Sequence, residues 1–241
     1  MNAAGRRTSG WPALSLILQY HLIMNYQIQK RIRSLELPPI PSVRWENADA
    51  FADLSRILEP LVNLVRLHRA VPHGIQSYLN ALDEAGIRLN CVRSVVLAGE
   101  PLPEDALPDL PGRDALQSEI QRLSELLADL TGCPKTGIRI EMPDQPMCPR
   151  MHVDHVTLRL ITTWRGPGTE WLDEAGTDRR LLGSDHVIRE RAAVHRANTG
   201  DILILKGERW PGNSGLGAVH RSPPAEGTQQ RRVLFACDAV W

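Results

Sequence analysis

The chain has 241 residues, enough for one large domain or two small ones, and 42% of them are hydrophobic, which suits a globular core. Lysine plus arginine and aspartate plus glutamate balance at 28 each, so net charge gives no footprint for a nucleic-acid groove or an anionic membrane surface. The four cysteines, Cys91, Cys133, Cys148 and Cys237, form no C-x-x-C pair and sit in a chain too large to need disulfides, so reduced thiols in a cytoplasm are expected.

At the N-terminus, Arg6 and Arg7 precede an apolar stretch at 11–24 that superficially copies a signal peptide. Gln19 and His21 interrupt it, no small-x-small cleavage site follows, and about 14 residues are too few to span a bilayer core of roughly 30 Å. Residues 1–45 therefore read as an extension, with Met24 as an alternative start. Residues 46–132 read as a helical support region. Within it one helical pattern covers 48–69, divided at Pro60, and a second covers 74–85 and closes at Gly86. The third covers 114–131, where Leu116, Ile120, Leu123, Leu127 and Leu130 recur at spacings of four and three before Gly132 and Pro134 stop it. Four prolines make 101–112 an extended connection.

From residue 133 to 241 the pattern changes to short runs of Val, Ile, Leu, Thr and Trp bounded by Gly, Pro, Asn and Asp. Candidate strands cover 137–142, 151–164, 168–172, 187–195, 201–206, 217–221 and 231–240. With no helical pattern between them, they favour an antiparallel sandwich or barrel over a βαβ arrangement. The fold class expected is mainly β with helical support, α+β.

The densest group of metal-ligand types is Met151-His152-Val153-Asp154-His155. Side chains alternate along a strand, so His152 and Asp154 share one face while Val153 and His155 take the other. If a second strand brings His220 alongside, two imidazoles and one carboxylate surround one side of a metal and leave positions open, as a catalytic centre requires. His220 lies 68 residues after His152, Arg221-Ser222-Pro223-Pro224 follows it, and Arg231 and Arg232 open the next strand. The turn Asn198-Thr199-Gly200-Asp201 feeds the apolar run between the two histidines.

That order of features, over roughly residues 137–241, resembles the iron(II)- and 2-oxoglutarate-dependent dioxygenase superfamily. More narrowly, the strings CPRMHVDHVTLRL, RGPGTEWL, VHRSPP and RRVLFACD resemble the bacterial domain-of-unknown-function family 1826. The superfamily resemblance implies a double-stranded β-helix (jelly-roll, cupin-like) barrel for 133–241, braced by the preceding helices. It implies iron(II) held by His152, Asp154 and His220, the 5-carboxylate of 2-oxoglutarate held by Arg231 or Arg232, and hydroxylation of a small molecule or peptide. A guanidinium suits the carboxylate because its planar fork offers two parallel hydrogen bonds. Arg232 is the first choice, although the apolar run 233–236 leaves the strand's phase unset. The superfamily often has Ser or Thr two residues after this arginine; here Val233 and Leu234 stand there.

Two rival readings keep the region and change the chemistry. A closed site of Cys148, His152, Asp154 and His220 would suit zinc in a metal-handling protein, and a cupin-like barrel could bind a small molecule without catalysis. A Ser-His-Asp hydrolase lacks its Gly-x-Ser-x-Gly turn, and nucleotide binding lacks its Gly-rich signatures. His155 reads as a supporting or plain surface residue, His186 and His195 as ordinary histidines, and Arg159 and Arg165 as partners of carboxylates on a solvated face. Glu170 and Trp171 either line the pocket mouth or, for the Trp, pack in the wall. Residues 207–217, with Gly207, Gly212, Gly215 and Gly217, read as a mobile lid.

Overall fold

The computed structural model describes residues 42–89, 91–143, 145, 147–224 and 231–241. The apolar N-terminal stretch and the alternative start at Met24 lie outside the described residues; Arg44 and Trp45, the last two residues of the expected extension, already belong to a strand.

Ten strands are formed among the described residues: β1 (Arg44–Ala48), β2 (Val62–Leu67), β3 (Val92–Leu97), β4 (Lys135–Glu141), β5 (Leu158–Arg165), β6 (Glu170–Leu172), β7 (Val194–Arg196), β8 (Ile202–Lys206), β9 (His220–Arg221) and β10 (Val233–Val240). Seven make one sheet in the order β1-β2-β8-β5-β10-β4-β3, and three make a second in the order β7-β6-β9. Only β1 and β2 pair in parallel; every other named pair is antiparallel. Among the described residues the expected closed barrel is therefore not formed by hydrogen bonding: two separate sheets are present, and β1 and β3 are the outermost strands of the larger.

Two helices, α1 (His73–Glu84) and α2 (Arg113–Thr131), match the second and third helical patterns. The first pattern is overturned. Residues Phe51–Leu58 form a 3-10 helix, and the stretch beyond Pro60 is β2, because Val62, Leu64, Val65 and Leu67 are all buried within the large sheet. Helix-like spacing there loses to tertiary packing. The front of the chain thus contributes three strands to the sheet as well as two helices. Two strand expectations also shrink. The run 151–164 is strand only from Leu158, and 187–195 is mostly 3-10 turns before β7.

Alternation along β5, β8 and β10 gives the large sheet two apolar faces. Leu158, Leu160, Trp164, Ile202, Ile204, Val233, Phe235 and Cys237 share one core with Ile75, Tyr78, Leu79 and Leu82 of α1 and Leu116, Ile120, Leu123 and Leu127 of α2. Ile161, Leu203, Leu205, Leu234 and Ala236 share another with Trp171 of the small sheet. The small sheet's outer face forms a third cluster of Met151, Leu172, Val187 and Val219, with Val153 packed on it.

At the end of β8 two residues carry unusual demands. Lys206 is 1% exposed; its Nζ donates to the Glu59 carbonyl at 2.6 Å and lies 5.3 Å from the Trp210 ring centre. Burial pushes its pKa down to about 8 from an ordinary 10.5, against a small opposing pull from Glu59. Below pH 8 both folded and unfolded chains hold this proton, and the folded state bears the full cost of the charge. Between pH 8 and 10.5 the unfolded chain binds more protons, so stability rises with pH. Lys206→Met is expected to flatten that rise and to add on the order of 1–2 kcal/mol at pH 7, as measured by urea unfolding at pH 7 and 9.5. Gly207 follows. A Cβ there would stand 2.2 Å from the Val156 carbonyl oxygen and 2.6 Å from that of Asp154. Gly207→Ala is expected to cost about 1–3 kcal/mol in the same assay and to displace the 154–156 backbone.

Candidate metal centre

His152 and Asp154 stand before β5, not within it, on a segment that joins the small sheet. His152 and His220 face each other in an isolated antiparallel bridge and exchange both backbone bonds, N–H to C=O, at 2.9 Å. Alternation then sorts the side chains. Met151 and Val153 enter the outer cluster, as Val219 does, while His152, Asp154 and His220 turn to the opposite side. One ligating atom of each of these three lies within 4.8 Å of the other two.

The carbonyl of Arg150 can only accept, so His152 Nδ1 donates to it at 2.9 Å; likewise His220 Nδ1 donates to Ala218 O at 3.0 Å. Both Nε2 atoms are thereby turned toward Asp154, at 3.5 Å from Oδ1 for His152 and 3.1 Å from Oδ2 for His220. Donors bound at about 2.1 Å to one ion would stand roughly 3.0 Å apart at a right angle and roughly 3.4 Å apart at a tetrahedral one. The donor set fits a divalent metal, and both imidazole-to-carboxylate distances are of that order, each to a different oxygen of Asp154. Burial works against the charge of Asp154, but His152, His220 and Arg159 outweigh it and hold the carboxyl well below its usual range. Asp154 in turn raises the pKa of His152. The ligand segment is tied from behind by Glu208 N–H to Asp154 O at 2.9 Å and by the close approach of Gly207.

Arg159, expected on a solvated face, is instead part of the centre. Its Nη1 donates to Asp154 Oδ2 at 2.5 Å, and its Nε and Nη2 donate to the two oxygens of Asp238 at 2.5 and 2.6 Å. Neither Asp238 nor this network could be found without the β5–β10 register, which sets Arg159 directly opposite Asp238.

Of the two arginines, Arg232 is buried and Arg231 exposed. Arg232 donates to Pro167 O at 2.9 Å, Ser222 Oγ at 3.3 Å, Thr163 Oγ1 at 3.4 Å and Thr169 Oγ1 at 3.2 Å. All four partners are neutral. Burial pushes its pKa down to about 10, with Glu141 pulling weakly the other way. Arg231 lines a surface cavity with Asn80, Asp83 and Arg165.

The remaining candidates fall outside the trio. Cys148 is exposed and not among the clustered ligands, though its carbonyl accepts from Ser222 N–H at 2.9 Å. His155 and His186 are exposed. His195 stacks on Trp171 with ring centres 5.4 Å apart and its Nε2 lies 2.9 Å from Asp173. Trp171, register partner of His220, is 1% exposed in the core between the sheets, and Glu170 is buried between Arg196 and Arg221. Arg165 pairs with Asp83 of α1 at 2.6 Å. The expected lid, 207–217, is pinned: Asn213 reaches Gly207 O, Asn63 reaches Leu216 O and Gly215 N–H reaches Glu208.

Among solved structures, the chain is similar to AtDAO1, dioxygenase for auxin oxidation 1 from Arabidopsis thaliana, in its 2-oxoglutarate complex. The TM-score is 0.51 at 11% identity, covering 82% of this chain and 92% of that one. The rice dioxygenase for auxin oxidation gives 0.46 at 16% identity over 82% and 83%, and a Pseudomonas putida prolyl-4-hydroxylase gives 0.43 at 10% over 80% and 100%. The first likeness shows the fold, which is shared with that Arabidopsis dioxygenase. No curated protein matches the sequence. The model of the family described as "Protein of unknown function (DUF1826)" matches residues 48–238, and the chain belongs to that family.

Proposed function

We propose that this protein is an iron(II)- and 2-oxoglutarate-dependent oxygenase that hydroxylates a small-molecule or peptide substrate in a reducing cytoplasm. The observation that carries the reading beyond a bare metal centre is Arg232. A buried guanidinium whose hydrogen-bond partners among the described residues are all neutral, with only a weak pull from Glu141, leaves its charge poorly compensated, a condition that costs several kcal/mol unless an anion completes it. A carboxylate from a bound keto acid would do so. Thr163, Thr169 and Ser222 supply hydroxyls beside it, which answers the lack of Ser or Thr two residues after the arginine.

The spacing suits the same ligand. Ser222, which touches Arg232, lies two residues beyond His220, or about 7 Å along an extended chain, the length scale of a five-carbon dicarboxylate. His152, Asp154 and His220 would hold the iron through two imidazole nitrogens and one carboxylate oxygen, the donor set of a non-heme facial triad. When bound, iron and keto acid would together supply oxidation of a C–H bond by dioxygen, one oxygen atom going to the substrate and the other to the decarboxylated keto acid. The chain's own residues do the rest. The Nδ1 bonds to Arg150 and Ala218 fix both imidazoles, Arg232 orients the keto acid, and Leu234, Ala236, Ile161 and Trp171 keep the interior apolar. Four free cysteines accord with a reducing compartment, and among the described residues no helix is long and apolar enough to cross a membrane.

The test is anaerobic titration of metal-free protein with iron(II), then 2-oxoglutarate, following the visible charge-transfer band of the chelate. The band is expected in the native chain, absent in His220→Ala, and shifted to about 10- to 100-fold higher keto acid concentration in Arg232→Ala. Tight zinc retention with no response to the keto acid would sink the oxygenase reading in favour of metal handling.

A further inference from the structure

Arg159 and Asp238 are directly opposed across β5 and β10, and the fork formed by Nε and Nη2 goes wholly to Asp238. One donor, Nη1, remains for Asp154, and it takes Oδ2. Oδ2 also lies 3.1 Å from His220 Nε2, and the other oxygen, Oδ1, faces His152 Nε2 at 3.5 Å. We infer that the Arg159–Asp238 pair sets how Asp154 meets a metal: Nη1 takes up one side of Oδ2, which disfavours closure of both oxygens on the ion, while Asp238 keeps the guanidinium from claiming both. The inference rests on the metal-centre reading above and makes Arg159 and Asp238 positioning residues.

Two opposite failures are avoided by this arrangement. Carboxylates bind metals through one oxygen or two. An Asp154 free of Arg159 could close on the ion with both oxygens and occupy a position that a co-substrate needs. An Arg159 free of Asp238 could turn its fork on Asp154, form the strong two-bond pair and compete with the metal for the same oxygens. Sharing one guanidinium unequally between two carboxylates prevents both outcomes. It also leaves the charges balanced, because Asp238 offsets Arg159 and the negative charge of Asp154 remains for the cation. Burial at Arg159 is outweighed by Asp238 and Asp154, which hold its pKa above the ordinary value.

Manganese(II) alone, added to the metal-free full chain, tests this without turnover. Free manganese measured by electron paramagnetic resonance gives affinity, and water-proton relaxation reports how many waters the bound ion keeps. Arg159→Met is expected to keep fewer bound waters than the native chain, as Asp154 takes a second position. Asp238→Asn is expected to weaken manganese about 10- to 100-fold, the usual effect of losing a group that orients a ligand. Adding Arg159→Met to Asp238→Asn should restore most of that affinity, whereas an arginine that merely held strands together would leave the double variant at least as weak as either single one. Should Arg159→Met fold poorly, Arg159→Lys in the Asp238→Asn background asks the same question, since lysine keeps the charge but has no fork, and affinity should again recover. Unchanged water count in Arg159→Met, or no recovery in either double variant, overturns the inference. If the native chain binds neither manganese(II), iron(II) nor zinc(II), the metal-centre reading itself fails.

Discussion

Two reciprocal backbone bonds between His152 and His220 fix the rest of the site. They join residues 68 positions apart as a directly facing antiparallel pair, and in such a pair both side chains leave the sheet on the same side. A slip of one residue would send His152 and Asp154 into the outer cluster and bring Met151 and Val153 inward. The register is therefore held by packing as well as by hydrogen bonds. Met151, Val153 and Val219 lie in an apolar cluster with Leu172 and Val187, and exchanging them with two imidazoles and a carboxylate would bury charge in that cluster.

The segment that carries two of the three candidate ligands is otherwise short of regular pairing, since β5 begins only at Leu158. Support comes from the side. The backbone after β8 runs so close to Asp154–Val156 that only glycine fits at 207, and the Glu208 and Arg209 N–H groups cap the carbonyls of Asp154 and Val156. The segment 207–217 is thus better understood as a wall behind the ligands than as a lid over them. Its four glycines suggested mobility, but Gly207 and Gly217 are required by close contacts with Asp154, Val156 and Val153.

The parts legible in the sequence were those set by local chemistry. The stripe from Leu116 to Leu127 marked α2 because one helix face packs on one sheet face, and His152-x-Asp154 marked two of the three clustered candidate ligands because period-two alternation needs no partner strand to be read. Features that depend on pairing were not legible. The stretch at 62–67 carries apolar residues at spacings that suit a helix, and only its place between β1 and β8 makes it a strand. Arg159 looked like an ordinary ion-pairing residue because nothing local to it reveals Asp238, 79 positions away. The phase of Arg231 and Arg232 was equally hidden, since all of Val233, Leu234, Phe235 and Ala236 are buried and the strand has apolar cores on both faces.

Those two apolar faces also explain where the polar groups sit. On the inner face of β5 and β10, Arg159 opposite Asp238 and Thr163 opposite Leu234 are separated by Ile161 opposite Ala236. The Cα atoms of Arg159 and Thr163 are about 13 Å apart along the strand. One end of the interior holds Asp154 through Arg159; the other holds the buried charge of Arg232 among Thr163, Thr169 and Ser222. Charges at the first end are already matched by two carboxylates, whereas at the second end, among the described residues, no carboxylate hydrogen-bonds Arg232 and Glu141 opposes its burial only weakly. On the proposed reading, a bound keto acid would be oriented before any reaction begins, with one carboxylate at Arg232, its chain along the apolar middle and its other end toward the imidazoles.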